Sequence, residues 1–298
     1  MIRTHMLVLA LSLVGFQAAA QQPQTPAETN DWVKPPIEAV HVQYHTFQSK
    51  YVNGPVSYLI YLPPDYDRSN KRYPVVYWLH GRGGAQTGIP GFAERLTAAI
   101  ESRKAPAMIV VFVNGLPLGG YRDSADGKQP VESVTIRELL PHIDATYRTI
   151  AKRESRLVEG FSMGGSGAAK WGFKYPDLFG SFSIFSGALF ANGARPSAKE
   201  PALEMSPEDD PWKLPGNCAD KVRGKTVARI TVGSKDGLLK INTAYHELLD
   251  KLKIEHQFAV IEGVAHTPWP LYDGLGDKCW AFYYEAFRMK PDAAAKGR

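Results

Sequence analysis

From Pro74 onward the chain alternates between two apolar patterns. Short, nearly continuous apolar runs stand at residues 74–79, 107–113 and 156–161, and further short strands are predicted at 182–186, 227–233 and 256–262. Such runs are typical of strands covered on both faces of a parallel sheet. Between them, apolar residues recur every three or four positions. Phe92, Leu96 and Ile100 mark one such stretch in residues 91–103. Ile136, Leu139, Leu140, Ile143 and Tyr147 mark another in residues 131–147. Residues 164–175, 238–252 and 269–287 complete the set. This spacing predicts helices. Pro141 lies inside the second and should kink it or mark its break. Upstream, residues 40–49 alternate, with Val42, Tyr44 and Thr46 opposite Gln43, His45 and Phe47. A turn at Asn53-Gly54-Pro55 leads into a return run at residues 56–62, which Pro63-Pro64 stops. That opening predicts an antiparallel hairpin, with His41 and His45 as structural residues on it. The rest predicts an α/β chain with a mostly parallel, doubly wound sheet and helices on both faces. Catalytic groups then belong at the carboxyl ends of the strands.

Four segments fall outside this rhythm. Residues 1–20 open with Arg3 and His5, continue through an apolar run at 6–16, and end in Ala18-Ala19-Ala20. They predict a secretory signal cleaved after Ala20, since the run is too short to span a bilayer. Residues 21–36 are polar and proline-rich, a mobile N-terminal tail. Residues 187–224 are rich in Pro, Asp, Glu and Lys, an excursion over the active-site side. Residues 291–298 form a short C-terminal tail. One domain at 37–290 carries the fold.

Composition narrows the partners more than the fold. With 44% hydrophobic and 22% charged residues among 298, the chain has enough apolar surface for one large core. The net charge of +5 and pI of about 9.0 come from scattered Lys and Arg, so no nucleic-acid footprint is seen. No segment after the leader is apolar enough to cross a membrane. Cys218 and Cys279 form either a bridge or two free thiols. There is no C-x-x-C, and no His, Cys or carboxylate pair has convincing zinc spacing, so neither a metal nor another cofactor is expected.

The chemistry concentrates at Gly160-Phe-Ser-Met-Gly-Gly165. Its G-x-S-x-G spacing is that of a nucleophile elbow, a turn from strand to helix in almost no residues. The apex serine is strained and holds its hydroxyl out of the sheet. Side chains two residues before or after it would collide with the neighbouring strand and helix. A serine hydroxyl is a poor nucleophile unless a base lies within hydrogen-bond reach and a further group orients that base. In this kind of fold the partners follow in the order Ser, Asp or Glu, His. The first acid directly after a later buried strand is Asp236, in Gly233-Ser-Lys-Asp-Gly237. The first histidine directly after a later strand is His266, in Glu262-Gly-Val-Ala-His-Thr-Pro-Trp269. His142 and His246 sit on helices, and His256 begins a strand at its far end.

The oxyanion formed by attack needs two preformed N–H donors, and losing one costs about 10²–10³ in rate. Met163 N–H, at a helix start, is the first candidate. The second is Arg82 N–H, with Gly83 as alternative, in the glycine-rich loop His80-Gly-Arg-Gly-Gly84. The His80 side chain is expected to be structural. Tyr121, Trp269 and Tyr272 are candidate contacts for an aromatic acyl group or a sugar.

Four stretches stand together in order: Tyr61-Leu-Pro-Pro-Asp-Tyr66, Pro74-Val-Val-Tyr-Trp-Leu-His-Gly-Arg-Gly-Gly84, Glu138-Leu-Leu-Pro-His-Ile-Asp-Ala-Thr-Tyr147 and the elbow. Over residues 40–288 the chain resembles the esterase D-like branch of the α/β-hydrolases, which includes feruloyl and acetylxylan esterases of carbohydrate esterase family 1. The resemblance implies an α/β-hydrolase fold, Ser162 as nucleophile, Asp236 as acid, His266 as base and no metal. It weakens over residues 187–224, which would shape the substrate pocket. With the leader, it implies an exported, secreted or periplasmic serine esterase. Its substrate would be a small-molecule or polysaccharide ester, with feruloyl or acetyl groups of plant polysaccharide preferred. No nucleic acid is implied, and no membrane after signal cleavage. An acyltransferase on the same triad, a siderophore esterase and a non-catalytic carbohydrate-binding module are the rival expectations.

Overall fold

A computed structural model describes residues 31–84, 86, 88–190 and 206–291. The apolar runs become strands of one eight-stranded sheet. They are β1 (Val42–Ser49), β2 (Gly54–Tyr61), β3 (Val75–Leu79), β4 (Ile109–Val113), β5 (Arg156–Phe161), β6 (Ser181–Phe185), β7 (Val227–Gly233) and β8 (Gln257–Ile261). Their order is β1-β2-β4-β3-β5-β6-β7-β8. β1 and β2 pair antiparallel, as the opening alternation predicts, and β2 meets β4 antiparallel. From β4 to β8 every pairing is parallel. This is the α/β-hydrolase architecture, a mostly parallel sheet with helices on both faces and an N-terminal antiparallel hairpin.

Every residue of β3, β4, β5 and β6 is buried, because helices cover both sheet faces. Alternate side chains feed two cores. Val75, Tyr77 and Leu79 join one, together with Trp171, Tyr245 and Leu249. Val76 and Trp78 join the other, with Phe92, Leu96, Phe282 and Tyr283. The helices are α1 (Ile89–Glu101), α2 (Val131–Ser133), α3 (Leu140–Thr146), α4 (Met163–Lys174), α5 (Leu214–Val222), α6 (Leu239–Lys251), α7 (Pro268–Leu275) and α8 (Asp277–Ala286).

Two helices depart from the sequence pattern. Pro141 does not break its helix. A π-helical stretch, Val134–Leu139, joins α2 to α3 just before it. There the Leu140 N–H reaches back five residues to the Thr135 carbonyl, so the turn is widened immediately before the proline. The helix expected at 269–287 is two. Gly276, at φ +55, separates α7 from α8. α5 lies within the expected excursion, whose residues 191–205 fall outside the described set. The expected signal at 1–20, the tail up to residue 30 and residues 292–298 also lie outside it. Among the described residues, no helix is long and apolar enough to cross a membrane. Cys218 and Cys279 are both free thiols, and burial pushes the Cys279 thiol up to about 12.

The parallel register sets up the site. Leu79 pairs with both Val113 and Gly160, Phe161 with Phe185, and Gly233 with Ile261. The residues that follow each strand therefore emerge along one edge of the sheet.

Candidate active site

β5 ends at Phe161 and α4 begins at Met163, so Ser162 is the whole connection. Its backbone stands at φ 57 and ψ −112, outside the ordinary regions for a residue with a side chain. Such a conformation costs about 1–3 kcal/mol and persists only when its surroundings fix it. They do: Ser162 N–H donates to the Phe185 carbonyl at 2.9 Å, and its carbonyl accepts from Ser166 and Ala188 N–H. The glycine requirement is steric. A Cβ on Gly164 would lie 2.0 Å from the Leu79 carbonyl oxygen, and one on Gly160 2.3 Å from that of Gly164.

His266 and Asp236 come to this serine from 104 and 74 residues away, counted along the sequence. His266 Nε2 lies 2.9 Å from Ser162 Oγ. Its Nδ1 lies 2.8 Å from Asp236 Oδ2. The consistent tautomer puts a proton on Nδ1, donated to the carboxylate, and leaves Nε2 to accept from the serine hydroxyl. Asp236 Oδ1 accepts from Leu238 N–H at 2.8 Å. Burial alone would raise the Asp236 carboxyl, but the hydrogen bonds from His266 and Leu238 outweigh it and hold it below the usual range. The Asp236 side chain is fully buried, whereas that of His266 is 39% exposed, so the imidazole remains open to an incoming molecule. Phe161 lies against the ring, with centroids 4.6 Å apart. The loops after β7 and β8 are tied together, since Lys235 N–H donates to the Val264 carbonyl and Gly263 N–H to Ser234 Oγ.

The loop after β3 closes the other side. A Cβ on Gly81 would sit 3.4 Å from that of Ser162, so this backbone runs against the serine. Gly83 N–H is committed to the Pro117 carbonyl at 2.9 Å, which disfavours the alternative oxyanion donor. Arg82 lies between these two glycines, and Met163 occupies the first position of α4. His80 is structural, as its sequence position suggests. Its Nδ1–H donates to the Gly81 carbonyl at 2.7 Å, and Nε2 accepts from Gly115 N–H at 3.1 Å. Burial pushes this imidazole down to about 4, so it stays neutral and links the loops after β3 and β4.

Two expected substrate contacts are corrected. Tyr121 is wholly buried; its hydroxyl donates to the His80 carbonyl at 3.0 Å and its ring meets Trp171 edge-on. It braces the loop after β3 from below. Tyr272 is also buried, and its hydroxyl donates to Glu159 at 2.6 Å. Trp269 is half-buried, three residues beyond His266, and stacks on Trp78 with centroids 5.5 Å apart.

Sequence reasoning missed what lies beneath the elbow. Glu159, in β5, is fully buried and meets Arg229 of β7 at 2.9 Å. Tyr272 and Tyr283 hydroxyls donate to its other oxygen. Arg229 also donates to Ser183 Oγ and the Cys279 carbonyl, and lies over the Phe282 ring at 4.0 Å. The signal was present: each is a charged residue inside a mostly apolar strand. Asn242 of α6 was missed too. It pins both backbone groups of Gly187, where the excursion begins. Among the described residues, the group of three side chains with ligand atoms close enough for a metal ion is His246, Asp250 and His256, away from Ser162.

A strained serine, a histidine on its hydroxyl and a buried carboxylate behind that histidine make an arrangement suited to acyl transfer. The family model described as "Putative esterase" matches residues 49–287. The chain belongs to this esterase family. An esterase of Mycobacterium tuberculosis is 35% identical over 147 residues, covering 48% of this chain and 32% of the relative. The endo-1,4-beta-xylanase/feruloyl esterase of Xylanibacter ruminicola is 29% identical over 179 residues, covering 56% of this chain and 24% of the relative. The chain thus spans a third or less of the length of these two relatives. A solved structure of a ferulic acid esterase matches the fold with a TM-score of 0.72 at 24% identity, covering 83% of this chain and 98% of that one.

Proposed function

We propose that this member of the esterase family is a serine esterase that hydrolyses carboxylic esters through an acyl-enzyme. The 2.9 Å approach of His266 Nε2 to Ser162 Oγ, with Asp236 behind the ring, carries the reading. Ser162 Oγ attacks the ester carbonyl carbon while its proton passes to His266 Nε2. The carbonyl electron pair moves onto oxygen, and the Met163 and Arg82 N–H groups receive that oxyanion. Asp236 stabilises the imidazolium without taking its proton. The bond to the alcohol oxygen then breaks, and His266 protonates the leaving alkoxide. Water attacks the acyl-serine in the same way. It gives a proton to His266, which returns it to Ser162 Oγ as the carboxylic acid departs.

The preferred substrates are feruloyl or acetyl esters of plant polysaccharide, met outside the cytoplasm. Three features support this: the leader pattern of residues 1–20, the stretch shared with a relative named as a xylanase and feruloyl esterase, and the half-buried Trp269 near His266. The test is a panel of methyl ferulate, acetylated xylan, nitrophenyl acetate and a catechol siderophore ester. The protein is expected to cleave methyl ferulate or acetylated xylan faster than the siderophore ester. Ser162→Ala should lower every rate by at least about 10³-fold. A variant that keeps more than a trace of hydrolysis overturns the nucleophile assignment. A reversed order of rates overturns only the substrate class.

A further inference from the structure

At the opposite end of β8 from His266, three side chains unused by the proposed chemistry converge. His246 and Asp250 stand one helical turn apart on α6, and His256 lies just before β8. A nitrogen of each imidazole and a carboxylate oxygen lie within 4.8 Å of one another. His246 Nδ1 is 2.7 Å from His256 Nε2, and its Nε2 is 3.5 Å from Asp250 Oδ2. We propose that His246, Asp250 and His256 bind a divalent transition-metal ion of the zinc class.

Two features point to a ligand rather than to chance grouping. His256 Nδ1 lies 2.8 Å from the Ile254 carbonyl, as a donor to it. That bond fixes the tautomer and leaves the Nε2 lone pair facing His246, which is how metal-bound histidines are oriented in general. The His246 ring, in turn, is stacked flat on Phe258 of β8 at 4.2 Å and 9°. Two nitrogens and one carboxylate oxygen suit zinc and its neighbours, whereas calcium and magnesium prefer all-oxygen sites. Nitrogens on one tetrahedral ion stand about 3.3 Å apart, so the imidazole pair has only to open slightly. His246 has room to do so, with a side chain 26% exposed against 1% for His256. Asp250 is 63% exposed, which leaves a fourth position open to water.

The ion would join α6 to β8, the edge strand of the sheet, and take no part in ester cleavage. β8 separates the cluster from the loop that carries His266 by about 17 Å at the usual rise of a strand. The pattern is hard to see in sequence because the third ligand follows the helix end by a turn, outside the familiar zinc spacings.

The test uses the full chain, stripped of metal with a chelator and titrated calorimetrically with zinc chloride. One equivalent should bind, and excess zinc should raise the melting temperature by about 5 °C or more. His246→Gln and Asp250→Asn, both at partly or largely exposed positions, should each weaken binding by about tenfold or more. His266→Ala should retain the equivalent, which excludes capture by the other imidazole–carboxylate pair. Absence of saturable binding overturns the proposal. So does binding that survives His246→Gln and Asp250→Asn, or that is lost in His266→Ala.

Discussion

Glu159 and Arg229 are joined at 2.9 Å directly below the serine turn, and neither side chain is more than 1% exposed. Removing one member of a buried ion pair strands the other charge, at a cost of about 3–5 kcal/mol. Arg229→Met is therefore expected to lower the unfolding free energy by about that amount. Denaturant titration of the variant against the parent checks it. Changing Glu159→Gln as well should recover part of the loss, since no charge is then left unpaired.

Glu132 organises a second buried network, with Lys170 at 2.8 Å and Lys174 at 2.6 Å. Tyr175 donates to it at 2.5 Å. Burial alone would raise its carboxyl, but the two lysines and Tyr175 overcome this and hold it at about 2, against an ordinary 4.5. A depressed carboxyl stabilises the fold above its unfolded value and loses that contribution as pH falls towards the folded value. The expected window runs from pH 4.5 down to about 2, with a loss of about 2–3 kcal/mol. Unfolding curves across that window should show this loss for the parent and a shallower one for Glu132→Gln.

The elbow glycines make a sharper steric prediction. A Cβ on Gly164 meets backbone, the Leu79 carbonyl, so the strand–helix turn must move. A displacement of about 1 Å at a reacting group can cost 10²-fold in rate. Gly164→Ala is expected to lower kcat by about that factor and to lower stability by about 1–3 kcal/mol. Gly216, within α5, has nothing within 4 Å of its would-be Cβ. Gly216→Ala should leave kcat unchanged and stabilise the helix by up to about 1 kcal/mol. Steady-state kinetics and melting curves of the two variants make the comparison.

The elements most legible in the sequence are those where a single local rule applies. Continuous apolar runs marked β3 to β7 because both faces of a parallel sheet are covered. Gly160 and Gly164 were readable because no side chain fits where they lie. Asp236 was readable because it directly follows such a run, and His266 because it follows β8, the partly exposed edge strand. Partnerships that only the tertiary fold creates were not readable. Glu159 and Arg229 lie 70 positions apart in sequence, and a charge within a strand does not name its partner. Tyr121, in a glycine-rich loop, looks like a residue awaiting a ligand; its burial comes from α4, where a Cβ on Gly167 would lie 2.8 Å from its ring. The two-helix C-terminus turns on Gly276, whose φ of +55 halts a run that otherwise keeps helical spacing.

The central claim is that Ser162 is an activated nucleophile, and covalent labelling addresses it most directly. The protein is treated with a fluorophosphonate, digested, and mapped by mass spectrometry. One adduct per chain on Ser162 is expected, formed far more slowly in His266→Ala and absent in Ser162→Ala. An unmodified Ser162, or an adduct that forms equally fast without the His266 imidazole, would contradict the account.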